Sequence, residues 1–199
     1  MQITYEVENR WLTAEEPREG STLLSLHASE EELLFSGISM TRHLEELLGS
    51  PVEVEARVGK AVRLNPEQSA KLEVNVNAKA QEREVWLSIK ERKLVYAHTL
   101  IPVVSIDDSL LRTLKERKDE PIGRVLTSLN IPFLKKDLEV AILSSPEIAE
   151  ELGLGADTRL VARRYILYND TSDPEVESPA IKAAVTEIFN PEIVSCRPC

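Results

Sequence analysis

Two charged residues stand where a β-strand is ordinarily apolar. In R-E-V-W-L-S-I, alternation sets Arg83 on one face with Val85, Leu87 and Ile89. In I-K-A-A-V-T-E-I-F it sets Glu187 on one face with Ile181, Ala183, Val185 and Phe189. A guanidinium and a carboxylate under a sheet each lose roughly several kcal/mol of hydration unless something pairs with them. They are therefore one internal ion pair or two halves of a ligand site.

Two helix starts add to the count. Pro121 is in the favoured first position of a helix, and the free N–H groups that follow it at Ile122 and Gly123 make a small anion site that an arginine could complete for a carboxylate. Met40 opens another helix. Taken singly, Met40 is an ordinary core residue, Pro-Ile-Gly an ordinary helix start, and Arg83 with Glu187 an ordinary structural pair. Their joint occurrence in one chain is what points to a site.

The elements that must carry these residues follow from periodicity. Ser29 to Gly37 reads as a short helix with a capping box at Ser29 and Glu32, and Ser39 to Leu48 as a second with Leu44, Leu47 and Leu48 on one face. Val52 to Val58 alternates as a half-buried strand, and Leu72, Val74 and Val76 read as another short one. Arg83 to Ile89 and Leu94 to Val104 flank the polar Lys90 to Lys93 and form an antiparallel hairpin. Asp107 to Arg117 and the segment from Pro121 are helices, as is Pro146 to Leu152 between strands Leu138 to Leu143 and Arg159 to Tyr168. A loop rich in Asp, Glu, Ser and Pro from Asn169 to Pro179 precedes the last strand, Ala180 to Asn190. Strands joined by hairpins or short helices predict an α+β fold, an antiparallel sheet with helices on one side.

Composition narrows the function. The 199 residues, 42% hydrophobic, suit a single unit over 1–199 with a real core. A net charge of -10 argues against nucleic-acid or anionic-membrane partners, since phosphate binding needs clustered cations. No apolar run spans a bilayer and the first ten residues do not read as a signal peptide, so a cytoplasmic location is expected. Cys196 and Cys199 form a terminal Cys-x-x-Cys with no second pair to complete a zinc site, and His27, His43 and His98 are scattered; no metal is expected. Phosphate-binding glycine loops and a nucleophile elbow are missing from the sequence.

From about Ser39 to Pro191 the sequence resembles the chorismate lyase family. The resemblance rests on S-M-T (Ser39 to Thr41), R-E-V-W-L (Arg83 to Leu87), T-L-I-P (Thr99 to Pro102), P-I-G-R (Pro121 to Arg124) and T-E-I-F-N-P (Thr186 to Pro191), in that order. V-A-R-R-Y (Val161 to Tyr165) is similar to a divergent branch. The resemblance implies a six-stranded antiparallel sheet with a ligand beneath helical flaps, and cofactor-free conversion of chorismate to 4-hydroxybenzoate and pyruvate. It implies that Arg83 grips the ring carboxylate with the backbone N–H of Ile122, that Glu187 contacts the ring hydroxyl, and that Met40 and Gly123 line the substrate site. Ala97-His98 stands where familiar members have Gly-Arg, and the Asn169 to Pro179 hairpin is longer and more acidic than usual. The same fold resembles the effector domain of GntR-type regulators, which bind a small ligand without transforming it. The first 38 residues are too short and acidic for the winged helix that such regulators carry. The alternative function is therefore a stand-alone small-molecule sensor.

Overall fold

The structure is a computed structural model describing residues 3–8, 10–13, 27–169 and 180–195. Strands β1 (Glu6–Val7), β2 (Leu12–Thr13), β3 (Glu53–Arg63), β4 (Lys79–Ile89), β5 (Arg92–Pro102), β6 (Leu134–Ser144), β7 (Arg159–Tyr168) and β8 (Lys182–Phe189) build one sheet. Its order is β1-β6-β7-β8-β5-β4-β3, with β2 also on β6 and every pairing antiparallel. The fold is α+β, as the alternation predicts. Among the described residues the sheet has eight strands rather than six, because two-residue stretches β1 and β2 add to β6.

The hairpin between β4 and β5 turns on Lys90 and Glu91, both with positive φ (51° and 67°), as the primed two-residue turn requires. Its consequence is register: Arg83 pairs with Thr99, and Val85 with Ala97. Through β8 the rows continue, so Val85, Ala97, Glu187 and Arg163 lie abreast, and Arg83, Thr99, Val185 and Tyr165 form the next row.

Among the described residues six α-helices cover the sheet: α1 (Ala28–Phe35), α2 (Met40–Leu48), α3 (Pro66–Leu72), α4 (Asp108–Glu116), α5 (Ile122–Ser128) and α6 (Pro146–Glu151). They do not all lie on one side. On the face carrying Arg83 and Glu187, α1 and α2 pack on Val85, Leu87, Val161 and Phe189, while α4 and α5 pack on Ile101, Leu167 and Val185. The opposite face presents Trp86, Tyr96, Leu160 and Ile188, too much apolar surface to leave wet, and Ile148 of α6 covers it with Trp11. Leu72 of α3 covers Ala80, Leu100 and Ile166 beside them.

The strand expected at Leu72 to Val76 is instead the end of α3 and the turn after it. Asn65 and Gln68 exchange capping hydrogen bonds and Pro66 takes the first helical position, so local capping outweighs the alternation of three apolar residues. Helix α1 begins at Ala28, ahead of the expected box: Glu30 reaches back to the His27 amide at 2.7 Å. Helix α2 buries Met40, Thr41 and Leu44 but leaves Leu47 and Leu48 exposed.

Candidate functional site

Met40, Arg83, Ile122, Gly123 and Glu187 line one cavity. Its floor is sheet: Arg83, Val85 and Leu87 from β4, Ala97 and Thr99 from β5, Val185 and Glu187 from β8, Tyr165 and Leu167 from β7. Its roof is the start of α2 and the start of α5, with Phe133 and Lys135 closing one side. The cavity measures about 50 Å³, which at ~10–15 Å³ per water is room for roughly three to five waters and is well under the ~150 Å³ of a cavity that takes benzene, so a ring enters only if the roof lifts.

Arg83 and Glu187 do not pair with each other. The register puts them two strands and two residues apart, roughly 12 Å between Cα atoms. Arg83 Nη2 donates to the carbonyls of Lys118 at 2.7 Å and Glu120 at 2.5 Å, in the loop between α4 and α5. That loop fixes the guanidinium while its Nε stays buried with no partner among the described residues. Burial lowers the Arg83 pKa to about 10, Asp119 opposing the shift, so the group remains a cation at neutral pH. A buried guanidinium N–H without an acceptor costs about 1–3 kcal/mol, which a carboxylate in the cavity would return as a charge-assisted bond.

Glu187 is paired with Arg163, which is fully buried beside it: Nε donates to Oε2 at 2.5 Å. Arg163 Nη1 donates to the carbonyls of Leu33 and Leu34 at 2.8 and 3.0 Å, tying the last turn of α1 to the sheet where orphan carbonyls favour a cation. Tyr165 donates to the other carboxylate oxygen at 3.3 Å, and complete burial raises its pKa well above the usual phenol value. Glu187 is thus held from the β7 side and lines the cavity.

The roof has little slack. A Cβ at Gly123 would stand 3.2 Å from Ser39 Oγ and 3.4 Å from Phe133, so the glycine lets α5 close against the start of α2. Ser39 and Thr41 hydroxyls lie 2.7 Å apart there, and Arg124 joins Glu45 at 2.6 Å across the seam. The amides of Ile122 and Gly123 meet no carbonyl among the described residues, as expected of a first helical turn.

Sequence reasoning missed Arg163 and Lys135. Arg163 was readable, since it alternates with Val161, Tyr165 and Leu167 on one face of β7. Lys135 was not, because the alternation of β6 breaks in Lys135-Lys136-Asp137. Of the departing pair Ala97-His98, Ala97 forms cavity wall and His98 turns to the opposite face, where its Nε2 lies 2.9 Å from Glu82. Glu82, Glu84 and His98 there bring three ligand atoms within 4.8 Å of one another, but Lys60 and Arg57 already stand against the two carboxylates. Cys196, Cys199 and positions 170–179 of the acidic hairpin lie outside the described residues. No helix among the described residues is long and apolar enough to cross a membrane.

No curated protein matches the chain in sequence. Among solved structures, PhnF from Mycobacterium smegmatis is similar with a TM-score of 0.60 at 13% identity, over 80% of this chain and 67% of that one. The effector domain of the same PhnF gives 0.58 at 14% identity, over 78% and 90%. The ligand-binding domain of a protein assigned to the GntR family of transcriptional regulators from Bordetella bronchiseptica gives 0.57 at 17%, over 74% and 89%. At such identities the likeness is one of fold. A family match running from residue 34 to residue 197 takes in every element that walls the cavity, and on it the chain belongs to the Rv2949c-like family of chorismate pyruvate-lyases.

Proposed function

We propose that this protein cleaves chorismate to 4-hydroxybenzoate and pyruvate without a cofactor. The observation that carries the reading is the separation of Arg83 from Glu187 on the floor of one cavity, with Arg83 Nε buried and without a partner among the described residues. A rigid ligand with a carboxylate at one end and a hydroxyl at the other fits that pair. The planar fork of Arg83 takes the ring carboxylate, helped by the Ile122 N–H, a geometry lysine does not reproduce. Glu187 takes the 4-hydroxyl, while Met40 and Gly123 close the roof over the ring.

Chorismate is a non-aromatic diene, so the chemistry is downhill once begun. The bond from C3 to the ether oxygen breaks and its electron pair leaves with the enolpyruvyl group. The C4 hydrogen departs as a proton, its bonding pair completes the aromatic ring, and the enolpyruvyl methylene gains a proton to give pyruvate. Atoms balance with nothing added. The protein's contribution is orientation and placed charge, which suits a site of fixed guanidinium and carboxylate groups.

A second reading has support in the similar structures, among them the effector domain of PhnF and the ligand-binding domain of a protein assigned to the GntR family of transcriptional regulators. On that reading the cavity holds a compact aromatic or carboxylate ligand and does no chemistry. Purified protein mixed with chorismate, with no metal or nucleotide, separates the two. Release of 4-hydroxybenzoate and pyruvate in equal amounts, lost on heating the protein, supports the lyase. Saturable binding of chorismate without product supports the sensor.

A further inference from the structure

The cavity holds two cations for which no carboxylate lies within ion-pair distance among the described residues, although the chain as a whole carries a net charge of -10. One is Arg83. The other is Lys135, whose Nζ donates to the Ile38 carbonyl at 2.6 Å and sits 4.7 Å from the centre of the Tyr165 ring. An ammonium has three donors, so this arrangement leaves Lys135 capacity toward the cavity. Glu187 pairs with Arg163 and acts on Lys135 only at a distance, so the two carboxylate-free cations leave the interior with a net positive charge. The ligand that balances this interior is a dianion.

The position of Lys135 has a specific structural cause. Lys136 pairs with Ile166 and Glu139 with Arg164, so Asp137 and Leu138 both stand opposite Tyr165, with Asp137 in the left-handed region at φ 52°. This bulge inserts one residue into β6 and reverses which side chains face the cavity. It puts Lys135 opposite Leu167 on the cavity face and sends Lys136 to the other side. Bulges re-aim side chains beside active sites. Without this one, the cavity wall would carry a different side chain.

We infer that Lys135 binds the enolpyruvyl carboxylate of the substrate, as Arg83 binds the ring carboxylate. The inference rests on the lyase reading for the identity of the dianion. In the ordered sheet, Lys135 on β6 and Arg83 on β4 lie on opposite flanks of β8, roughly 20 Å apart at Cα, and their long side chains close that gap from both sides. The enolpyruvyl ether is on the ring carbon next to the one bearing the hydroxyl, so with the hydroxyl at Glu187 and the ring carboxylate at Arg83 the ether points to the flank of Glu187 away from β4. Lys135 is on that flank. There it separates substrate from product: chorismate has two carboxylates for the two cations, and 4-hydroxybenzoate has one.

The test compares the two ligands on the same protein. Dissociation constants for chorismate and for 4-hydroxybenzoate are measured by calorimetry on wild type, Lys135→Gln, Lys135→Met and Lys135→Arg, with kcat/KM for chorismate alongside. Expected for Lys135→Gln and Lys135→Met is a loss of roughly 10- to 100-fold for chorismate, the worth of a charge-assisted bond, and no more than about threefold for 4-hydroxybenzoate. Lys135→Arg should restore most of the difference. Equal losses for both ligands, or no loss for either, overturn the inference, the first by making Lys135 a structural residue. Folded-state spectra of all variants distinguish misfolding, and the arginine variant keeps the test decisive if the neutral ones fail to fold. Wild type that prefers chorismate over 4-hydroxybenzoate without turning it over sinks the lyase and keeps the dianion site. Wild type that binds neither overturns both.

Discussion

Arg163 and Glu187 face each other across the β7 and β8 ladder, Nε to Oε2 at 2.5 Å, with both side chains sealed from solvent. The carboxylate therefore already has its cation. Arg83, two strands away and bound only to loop carbonyls, has not. The internal ion pair is therefore not the one between Arg83 and Glu187: Glu187 pairs with Arg163, and Arg83 meets no carboxylate within ion-pair distance among the described residues.

Removing half of the buried pair should be costly. Arg163→Leu strands Glu187 in an apolar setting and frees the last carbonyls of α1, and the expected loss is about 3–5 kcal/mol in urea unfolding. The double variant Arg163→Leu with Glu187→Leu should recover most of that loss, since two apolar groups need no partner. A single variant within about 1 kcal/mol of wild type would contradict the pairing.

Arg83 should separate function from stability. Arg83→Ala loses bonds to two loop carbonyls, one exposed and one part-buried, about 1–2 kcal/mol, while chorismate turnover should fall roughly 100- to 1,000-fold, the scale for deleting a placed donor. Arg83→Lys should recover little, because one ammonium cannot hold the Lys118 and Glu120 carbonyls and also present a planar fork. Near-normal turnover in a folded Arg83→Ala protein would remove Arg83 from the site.

Alternation carried the sheet a long way. Period two, visible in the sequence, sets Arg83 and Glu187 each among apolar residues. The two-residue turn at Lys90 and Glu91 and the β5 to β8 pairing that bring them onto one face come from the structure, since Lys90 to Lys93 reads only as a polar break. What alternation does not contain is a break in itself. The bulge at Asp137 hides the first part of β6 and reverses Lys135 and Lys136, so the second cation of the cavity carries no periodic signal. The partner of Glu187 is a different kind of miss. Arg163 sits in phase with Val161, Tyr165 and Leu167, so its face was readable, but that it stands opposite Glu187 follows only from the β7 and β8 register. Helices on both sides follow from Trp86, Tyr96 and Ile188, apolar positions out of phase with the site face.

Lys135 should make stability depend on pH. Burial first, and then the Arg163 guanidinium, lower its pKa from 10.5 to about 8, with Glu187 opposing. Tyr165, whose ring it covers, stays neutral throughout because burial raises its own pKa. Between pH 8 and 10.5 the unfolded chain holds more protons at this residue than the folded one, so its contribution to stability rises with pH across that window. Below the folded pKa both states are charged and the full cost of the buried ammonium remains. Lys135→Met should accordingly stabilise the protein at pH 7, by about 1–2 kcal/mol after allowing for partial exposure, and the gain should vanish near pH 10.5. A gain that grows with pH in urea titrations, or a loss at pH 7, would refute this. An ionised group kept at such a cost is what a binding role explains.

The seam between α2 and α5 should govern how fast product leaves. Both helices roof the cavity, and Arg124 joins Glu45 across them at 2.6 Å. Glu45 also accepts from the Val52 amide at 2.9 Å, so altering it would disturb the end of α2 as well, and Arg124 is the cleaner target. With the ring enclosed, release is expected to be slower than chemistry, giving a burst of about one product per site in rapid-mixing experiments. A half-exposed ion pair contributes at most about 1 kcal/mol, so Arg124→Ala should speed the steady-state rate by up to about fivefold and leave the burst rate unchanged. If wild type shows no burst, opening of the roof does not limit turnover. If Arg124→Ala instead slows the burst itself, the arginine orients the substrate rather than latching the roof.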